Sequence, residues 1–310
     1  MSLTDDNHAL VDPSRQTGDQ HRATFLSTCR STLRNRMPAS ASPKFSGLAK
    51  PVLRWAGSKR LLLPKLLDLS PPNFDRYIEP FCGSACLFLA LQPKSAILSD
   101  LNLHLVSAYQ SIKRNPAEVA ASFSAWPATK EGYLDARNSN FPPETALAAA
   151  RFLFLNRHSF NGVYRENKQG RFNVPYGGKR SGRLPTSEEL QLFSKSLEAA
   201  EILNSDFETV VARSRRGDFI YLDPPYHYGE SRNRGEYGCG AFSEIDIERF
   251  IKSIKAADRR GAKILISYNR AHLLKRELNG WKLSYSTVRR SVAGFSSDRA
   301  NVREYMLRNY

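Results

Sequence analysis

The sequence predicts an α/β fold whose strand–helix rhythm runs from about residue 47, breaks in the middle of the chain and resumes near residue 206. Three observations carry this. Short apolar runs end in acids at Asp100 and Asp223, the pattern of buried strands that finish at a site. Small-residue turns and stretches of helical spacing lie between such runs. The middle of the chain shows a single strong apolar helix pattern and a basic loop instead.

Residues 1–46 are polar and Ser/Thr-rich, with a linker-like stretch from Pro38 to Pro43. They predict a disordered basic tail. From Gln20 to Leu67 there are ten Lys or Arg and no acid. The segment Arg22 to Arg36 has the composition of an organelle leader, but Asp5, Asp6, Asp12 and Asp19 argue against that. An arm for a nucleic-acid backbone and an idle tail both stay open. Order is expected from about Lys50.

Arg60 to Leu69 has helical spacing, and Arg76 to Phe81 reads as a short buried strand. The turn Cys82-Gly83-Ser84-Ala85 leads into an apolar helix through Leu91. Lys94 to Asp100 is the next strand, and Leu101 to Lys113 the next helix. A strand, a small-residue turn, a helix and a strand closed by an acid about 20 residues on suits a cofactor containing a nucleoside. Asp100 would accept the ribose hydroxyls. Gly83 would let the ligand approach the backbone. Trp55 offers an aromatic wall, and Lys59 a cation for the cofactor or the substrate backbone.

Ala146 to Arg157 forms the helix of the middle segment, and a Gly-, Lys- and Arg-rich loop follows it. From Val163 to Arg183 there are six Lys or Arg and one Glu. Strands are expected at Asp218 to Leu222 and Lys263 to Tyr268, with a helix from Ser243 to Ala257 between them. Residues 287–307 read as strand, loop and closing strand. There are no internal repeats.

The chain of 310 residues carries 46 Lys and Arg against 30 Asp and Glu, a formal net charge of +16. Such an excess points to a polyanionic partner, because neutralising phosphates releases counterions. Cys29, Cys82, Cys86 and Cys239 make neither a disulfide framework nor a zinc pattern, so no metal is expected. Cys82 and Cys86 read as packed thiols in a reducing, intracellular setting. No apolar run approaches the ~18 residues of a membrane helix.

Asp223-Pro224-Pro225-Tyr226 is the strongest chemical signal. Prolines fix φ and lack N–H groups, so the carbonyl before each stays available as an acceptor. The Asp carboxylate is a second acceptor and Tyr226 a flat stacking surface. Two acceptors beside a stacking face suit the exocyclic amino group of a nucleobase.

Three segments, in this order, resemble Dam-type, D12-class DNA adenine N6-methyltransferases. Leu53-Arg54-Trp55-Ala56-Gly57-Ser58-Lys59 resembles their first motif. Glu79-Pro80-Phe81-Cys82-Gly83-Ser84-Ala85 resembles their S-adenosylmethionine loop, and Asp223 to Tyr226 their catalytic motif. Asn156 to Gly162 and Phe172 to Tyr176 resemble the DNA-recognition region. Arg289-Arg290-Ser291 and Asn309-Tyr310 resemble the last segment. Ser58 and Ala85 stand where glycines are common.

The resemblance implies a Rossmann-like methyltransferase sheet built from residues 47–109 and 206–310. It also implies an inserted, mainly helical target-recognition domain at 110–205 that carries a β-hairpin loop. The cofactor implied is S-adenosylmethionine, held by Trp55, Lys59, Glu79, Phe81, Gly83, Asp100 and Asp223. The catalytic residues implied are Asp223, Pro224 and Tyr226. The DNA-binding residues implied are Asn161, Arg165, Arg171 and Arg289, and the substrate is a flipped adenine in double-stranded DNA. A GATC-like site fits, as does a cognate restriction enzyme as partner. A monomer in the bacterial cytoplasm, at the nucleoid when on DNA, is the expected state. Cytosine-N4 or RNA methylation, and a catalytically silent DNA-binding chain of the same fold, are the alternatives.

Overall fold

The computed structural model describes residues 49–167, 169–225, 242–269, 271–289 and 301–310. The tail expected at residues 1–46 lies outside them.

A 3-10 turn at Lys59–Leu61 precedes α1 (Leu63–Leu69), β1 (Tyr77–Glu79), α2 (Cys86–Leu91), β2 (Ala96–Asp100) and α3 (Leu103–Arg114). The helices α4 (Pro116–Ala121), α5 (Lys130–Asn138), α6 (Ala146–His158) and α7 (Ser187–Leu197) follow. Then come β3 (Ala200–Asn204), α8 (Phe207–Ala212), β4 (Phe219–Leu222), α9 (Glu244–Arg259), β5 (Lys263–Tyr268), α10 (Ala271–Glu277), β6 (Lys282–Arg289) and β7 (Asn301–Arg308). Helix starts follow side-chain chemistry. Asn102, Thr145, Thr186 and Ser243 each accept a backbone N–H from the first turn of the helix they precede, satisfying donors that have no partner within the helix.

Among the described residues the strands form one seven-stranded sheet in the order β3-β2-β1-β4-β5-β7-β6. The pairs among β1 to β5 are parallel. β7 runs antiparallel between β5 and β6. The sheet is therefore mostly parallel, as the Rossmann-like prediction requires.

Side chains alternate across the sheet with period two. Tyr77, Leu98, Phe219, Tyr221, Leu265 and Met306 enter one apolar core. Ile78, Ile97, Ile220, Leu222, Ile264, Ile266 and Leu307 enter the other. Both faces are thus covered, which is why these strands read as continuous apolar runs.

The first core continues into the helices. Leu105 and Tyr109 of α3, Leu153 and Phe154 of α6, and Leu190 and Phe193 of α7 share it with the strands. The described residues make one compact unit. One boundary needs correcting. The sequence assigned residues up to 205 to the insert, yet β3 pairs along its whole length with β2. β3 is an edge strand in which Glu201 and Asn204 are exposed, so its apolar signal is diluted.

β1 has β2 on one side and β4 on the other. The chain direction of winding changes there. The carboxyl ends of these two strands bound the crevice in which an open α/β sheet takes its ligand.

Candidate active site

A cavity of 580 Å³ opens at that crevice. One lip is the turn after β1. Gly83 has φ +43°, and a Cβ built there would stand 2.8 Å from Cδ1 of Trp55. Glycine is required twice over, by the backbone conformation and by the ring. The Gly83 N–H donates to Oδ2 of Asp100 at 3.0 Å, and Tyr109 Oη donates to the Gly83 carbonyl at 2.7 Å. Asp100 Oδ1 accepts from the Asn102 N–H at 3.0 Å. Burial raises the Asp100 carboxyl, and these backbone N–H groups work against that. Ala85, in the same turn, has φ 52° and ψ 34°. This position does need the left-handed region, so alanine here is strained.

Trp55 stacks on Tyr164 at 5.5 Å and also packs on Phe152. Phe81 stacks on Phe207 at 5.5 Å and meets Phe242 edge-on. The three phenylalanines line the cavity together with Trp55, Gly83 and Asp100. Glu79 lines it too. Its Oε2 accepts from Tyr77 Oη at 3.0 Å, and burial pushes its carboxyl well above the usual range. Burial likewise pushes the Cys82 and Cys86 thiols up, as packed thiols should behave.

The other lip is the end of β4. Asp223, Pro224 and Pro225 line the cavity, while Tyr226 lies outside the described residues. Lys59 Nζ stands 2.6 Å from Asp223 Oδ1 and 3.5 Å from Glu304 Oε1. Ser267 Oγ donates to Asp223 Oδ1 at 3.2 Å. Burial raises the Asp223 carboxyl to about 6, against the pull of the Lys59 ammonium. Burial also opposes the charge on Lys59, but Asp223 and Glu304 outweigh it and hold the ammonium above its ordinary value. Lys59 therefore lines the cavity from beside the acid, with its ammonium turned to two carboxylates.

The expected DNA-binding residues Asn161, Arg165 and Arg171 lie on the segment whose Glu166 and Gly170 reach the cavity. The chain from Ser159 to Tyr176 folds back on itself through isolated antiparallel bridges Ser159–Tyr176 and Glu166–Phe172, and this turn-back is called the hairpin below. Arg165 is half-buried, and its Nε donates to Asn173 Oδ1 at 2.8 Å. Arg171 is exposed near the tip. Asn161 has φ 56°, a conformation asparagine tolerates better than most residues. Arg289 ends β6. Asn156 binds both backbone polar groups of Arg54, at 2.8 and 2.7 Å, so the segment before Lys59 is tied to the end of α6. Glu166 and Gly170 of the hairpin line the same cavity.

Several lining or supporting residues escaped sequence reasoning. Asp206 and Phe207 follow β3, and a strand-end acid before an aromatic was a readable signal. Arg249 binds Asp206 at 2.7 Å, Glu208 at 2.9 Å and Asp246 at 2.9 Å, and its guanidinium lies over the Phe207 ring. It joins the starts of α8 and α9 at the cavity wall. Ser267 and Glu304 had no local signal. Among the described residues no group of His, Cys, Asp or Glu could hold a metal ion. No helix among them is long and apolar enough to cross a membrane.

A family model described as D12 class N6 adenine-specific DNA methyltransferase matches residues 55–292. The Type II methyltransferase M1.LlaDCHI of Lactococcus lactis subsp. cremoris is 31% identical over 271 residues, covering 84% of this chain and 95% of that protein. A DNA adenine methylase of Vibrio cholerae is 29% identical over 262 residues, covering 82% and 94%. The DNA N-6-adenine-methyltransferase of Escherichia phage P1 is 33% identical over 251 residues, covering 78% of this chain and 33% of that protein.

Proposed function

The chain belongs to the D12 class of N6 adenine-specific DNA methyltransferases, and from that premise we propose that it moves a methyl group from S-adenosylmethionine to N6 of an adenine flipped out of double-stranded DNA. The observation that carries this reading is a cavity with Gly83 and Asp100 on one lip and Asp223-Pro224 on the other. Asp100 and Asp223 are both the acids a catalytically silent relative would be expected to lose.

The residues fit the donor. The cavity volume falls in the range of sites for ligands of this size. Phe81, Phe207 and Phe242 supply flat apolar surface for a purine. Asp100 has a carboxylate for ribose hydroxyls, and the turn at Gly83 leaves room that a Cβ would fill. Glu79 and Trp55 complete the wall. When bound, S-adenosylmethionine supplies an electrophilic methyl on a positively charged sulfur.

The protein's own task is the amine. The N6 lone pair of adenine is delocalised into the ring. Asp223 and the Pro224 carbonyl accept the two N–H bonds, pull the nitrogen toward sp³ and aim its lone pair across the cavity. The ionised carboxylate also offsets positive charge that builds on N6. Orientation and fixed electrostatics provide most of the rate. Stacking on Tyr226 would offset part of the few kcal/mol needed to unstack the base.

Residues 110–199, which include the hairpin, would serve target recognition. Arg165 reads guanine through O6 and N7, and Asn161, Arg171 and Arg289 contact bases or phosphates. The basic charge supplies the sequence-independent part of binding. A GATC-like site, a monomer at the bacterial nucleoid and a cognate restriction enzyme complete the proposal. The test is transfer of a radiolabelled methyl to DNA. Wild type should label DNA, and Asp223→Ala should bind DNA without labelling it. Retained turnover in Asp223→Ala would remove the assigned role.

A further inference from the structure

Resting on that reading, we propose that Glu304 of β7 is a positioning residue for methyl transfer, holding the Lys59 ammonium when the target amine takes the place of Lys59 at Asp223. The geometry starts from strand register. Tyr221 of β4, Ser267 of β5 and Glu304 of β7 lie on adjacent strands, and the register that pairs Ser267 with Met306 puts Glu304 two residues along on the same face. The cluster is connected. Tyr221 Oη and Ser267 Oγ share a hydrogen bond at 2.9 Å, Ser267 donates to Asp223, and Lys59 stands between Asp223 and Glu304.

Two distances define the difficulty that Glu304 resolves. Lys59 is 2.6 Å from the Asp223 oxygen that also accepts from Ser267. An amine that needs this oxygen must compete with an ammonium for it. Lys59 is 8% exposed and Glu304 4% exposed. Lys59 Nζ also donates to the Gly57 carbonyl at 3.0 Å, but a neutral carbonyl does not replace a carboxylate, and moving a buried cation off its partner is costly unless a second anion waits for it. Glu304, at 3.5 Å, is that anion. A small rotation of the lysine chain toward it strengthens one ion pair as the other opens, and the total charge of the cluster does not change. No bond is made or broken in this exchange.

The titratable groups facing Asp223 are Lys59 from the 3-10 turn, Glu304 from β7, Tyr221 on its own strand and Glu79 from β1. Among them Glu304 is a like charge that holds the Asp223 proton more tightly. Its removal therefore has a directional signature that loss of packing alone does not produce.

The experiment measures single-turnover methyl transfer with enzyme in excess, across pH, for wild type, Glu304→Gln, Glu304→Asp, Lys59→Met and the Lys59→Met/Glu304→Gln pair. Donor affinity is read separately by calorimetry, and folding by circular dichroism. The expected result for Glu304→Gln is at least a tenfold loss of rate at neutral pH, donor Kd within twofold of wild type, and an acidic limb moved to lower pH. Glu304→Asp should regain part of the rate. In the Lys59→Met background the same Glu304→Gln change should cost less than threefold, because the ion it holds is gone. A Glu304→Gln rate within twofold of wild type overturns the proposal. So does an equal fold-loss in both backgrounds, or an unmoved acidic limb. If Glu304→Gln does not fold, Glu304→Asp in the two Lys59 backgrounds decides by the same comparison. A wild type that transfers no methyl would instead strike the reading of function itself.

Discussion

Gly83→Ala tests the cofactor lip through a perturbation whose size the structure sets. The backbone at Gly83 has φ +43°, and a residue with a Cβ in the left-handed region costs about 1–2 kcal/mol. The new methyl would lie 2.8 Å from Cδ1 and 3.1 Å from Nε1 of Trp55. Carbon atoms pack best at about 3.5–4.0 Å, so the ring must retreat by roughly 0.7 Å. It cannot do so freely, because Tyr164 and Phe152 pack against it. Overpacking of this kind costs typically about 1–3 kcal/mol. The sum is about 2–5 kcal/mol, a fall in Tm of roughly 4–10 °C for a domain of this size. Because Gly83 and Trp55 both line the cavity, the donor Kd should weaken at least about tenfold, or 1.4 kcal/mol. Gly280→Ala is the control. Gly280 has φ +83° with nothing within 4 Å, so it carries the backbone strain without the clash. Thermal melting and calorimetry on both variants separate the two. If Gly83→Ala melts no lower than Gly280→Ala and binds donor within twofold of wild type, the lip is wrongly assigned.

Other consequences follow from the same geometry. The Asp223 carboxyl, raised to about 6 by burial, must be ionised to accept from the amine, so activity is present above that value and lost below it. Single-turnover rates should fall about tenfold from pH 7 to pH 5, and a limb near pH 4 would contradict the burial argument. Arg165→Ala should cost about 1–3 kcal/mol of discrimination at one base pair, read as cognate against near-cognate rates. Equal weakening on all sequences would make it a phosphate contact. Ala85→Gly should relieve the strain at φ 52° and raise Tm by about 2–4 °C. An unchanged or lower Tm would show that the turn has no strain to release.

The strands that bound the site were legible in the sequence because both their faces are buried. Tyr77–Glu79, Ala96–Asp100, Phe219–Leu222 and Lys263–Tyr268 are apolar almost throughout. The strands that were missed or cut short are the two edges of the sheet. β3 has Glu201 outward, and β6 begins at Lys282 with Leu283 and Tyr285 exposed, so neither gives a continuous apolar run. The short helices α4 and α5 were hidden by alanine and polar residues, whose pattern is weak over six to nine positions. For the site, Gly83, Asp100 and Asp223 were readable because each sits at a strand end or turn with a local signature. Glu304 was not. It meets Lys59 across 245 positions of chain, from a strand whose own pattern gives no hint of a charge turned inward.

The most direct measurement is nucleoside mass spectrometry of DNA incubated with S-adenosylmethionine and the purified chain, beside the Asp223→Ala variant. The account predicts N6-methyldeoxyadenosine from wild type and none above background from Asp223→Ala. N4-methyldeoxycytidine as the product, or N6-methyldeoxyadenosine from both proteins alike, would contradict it.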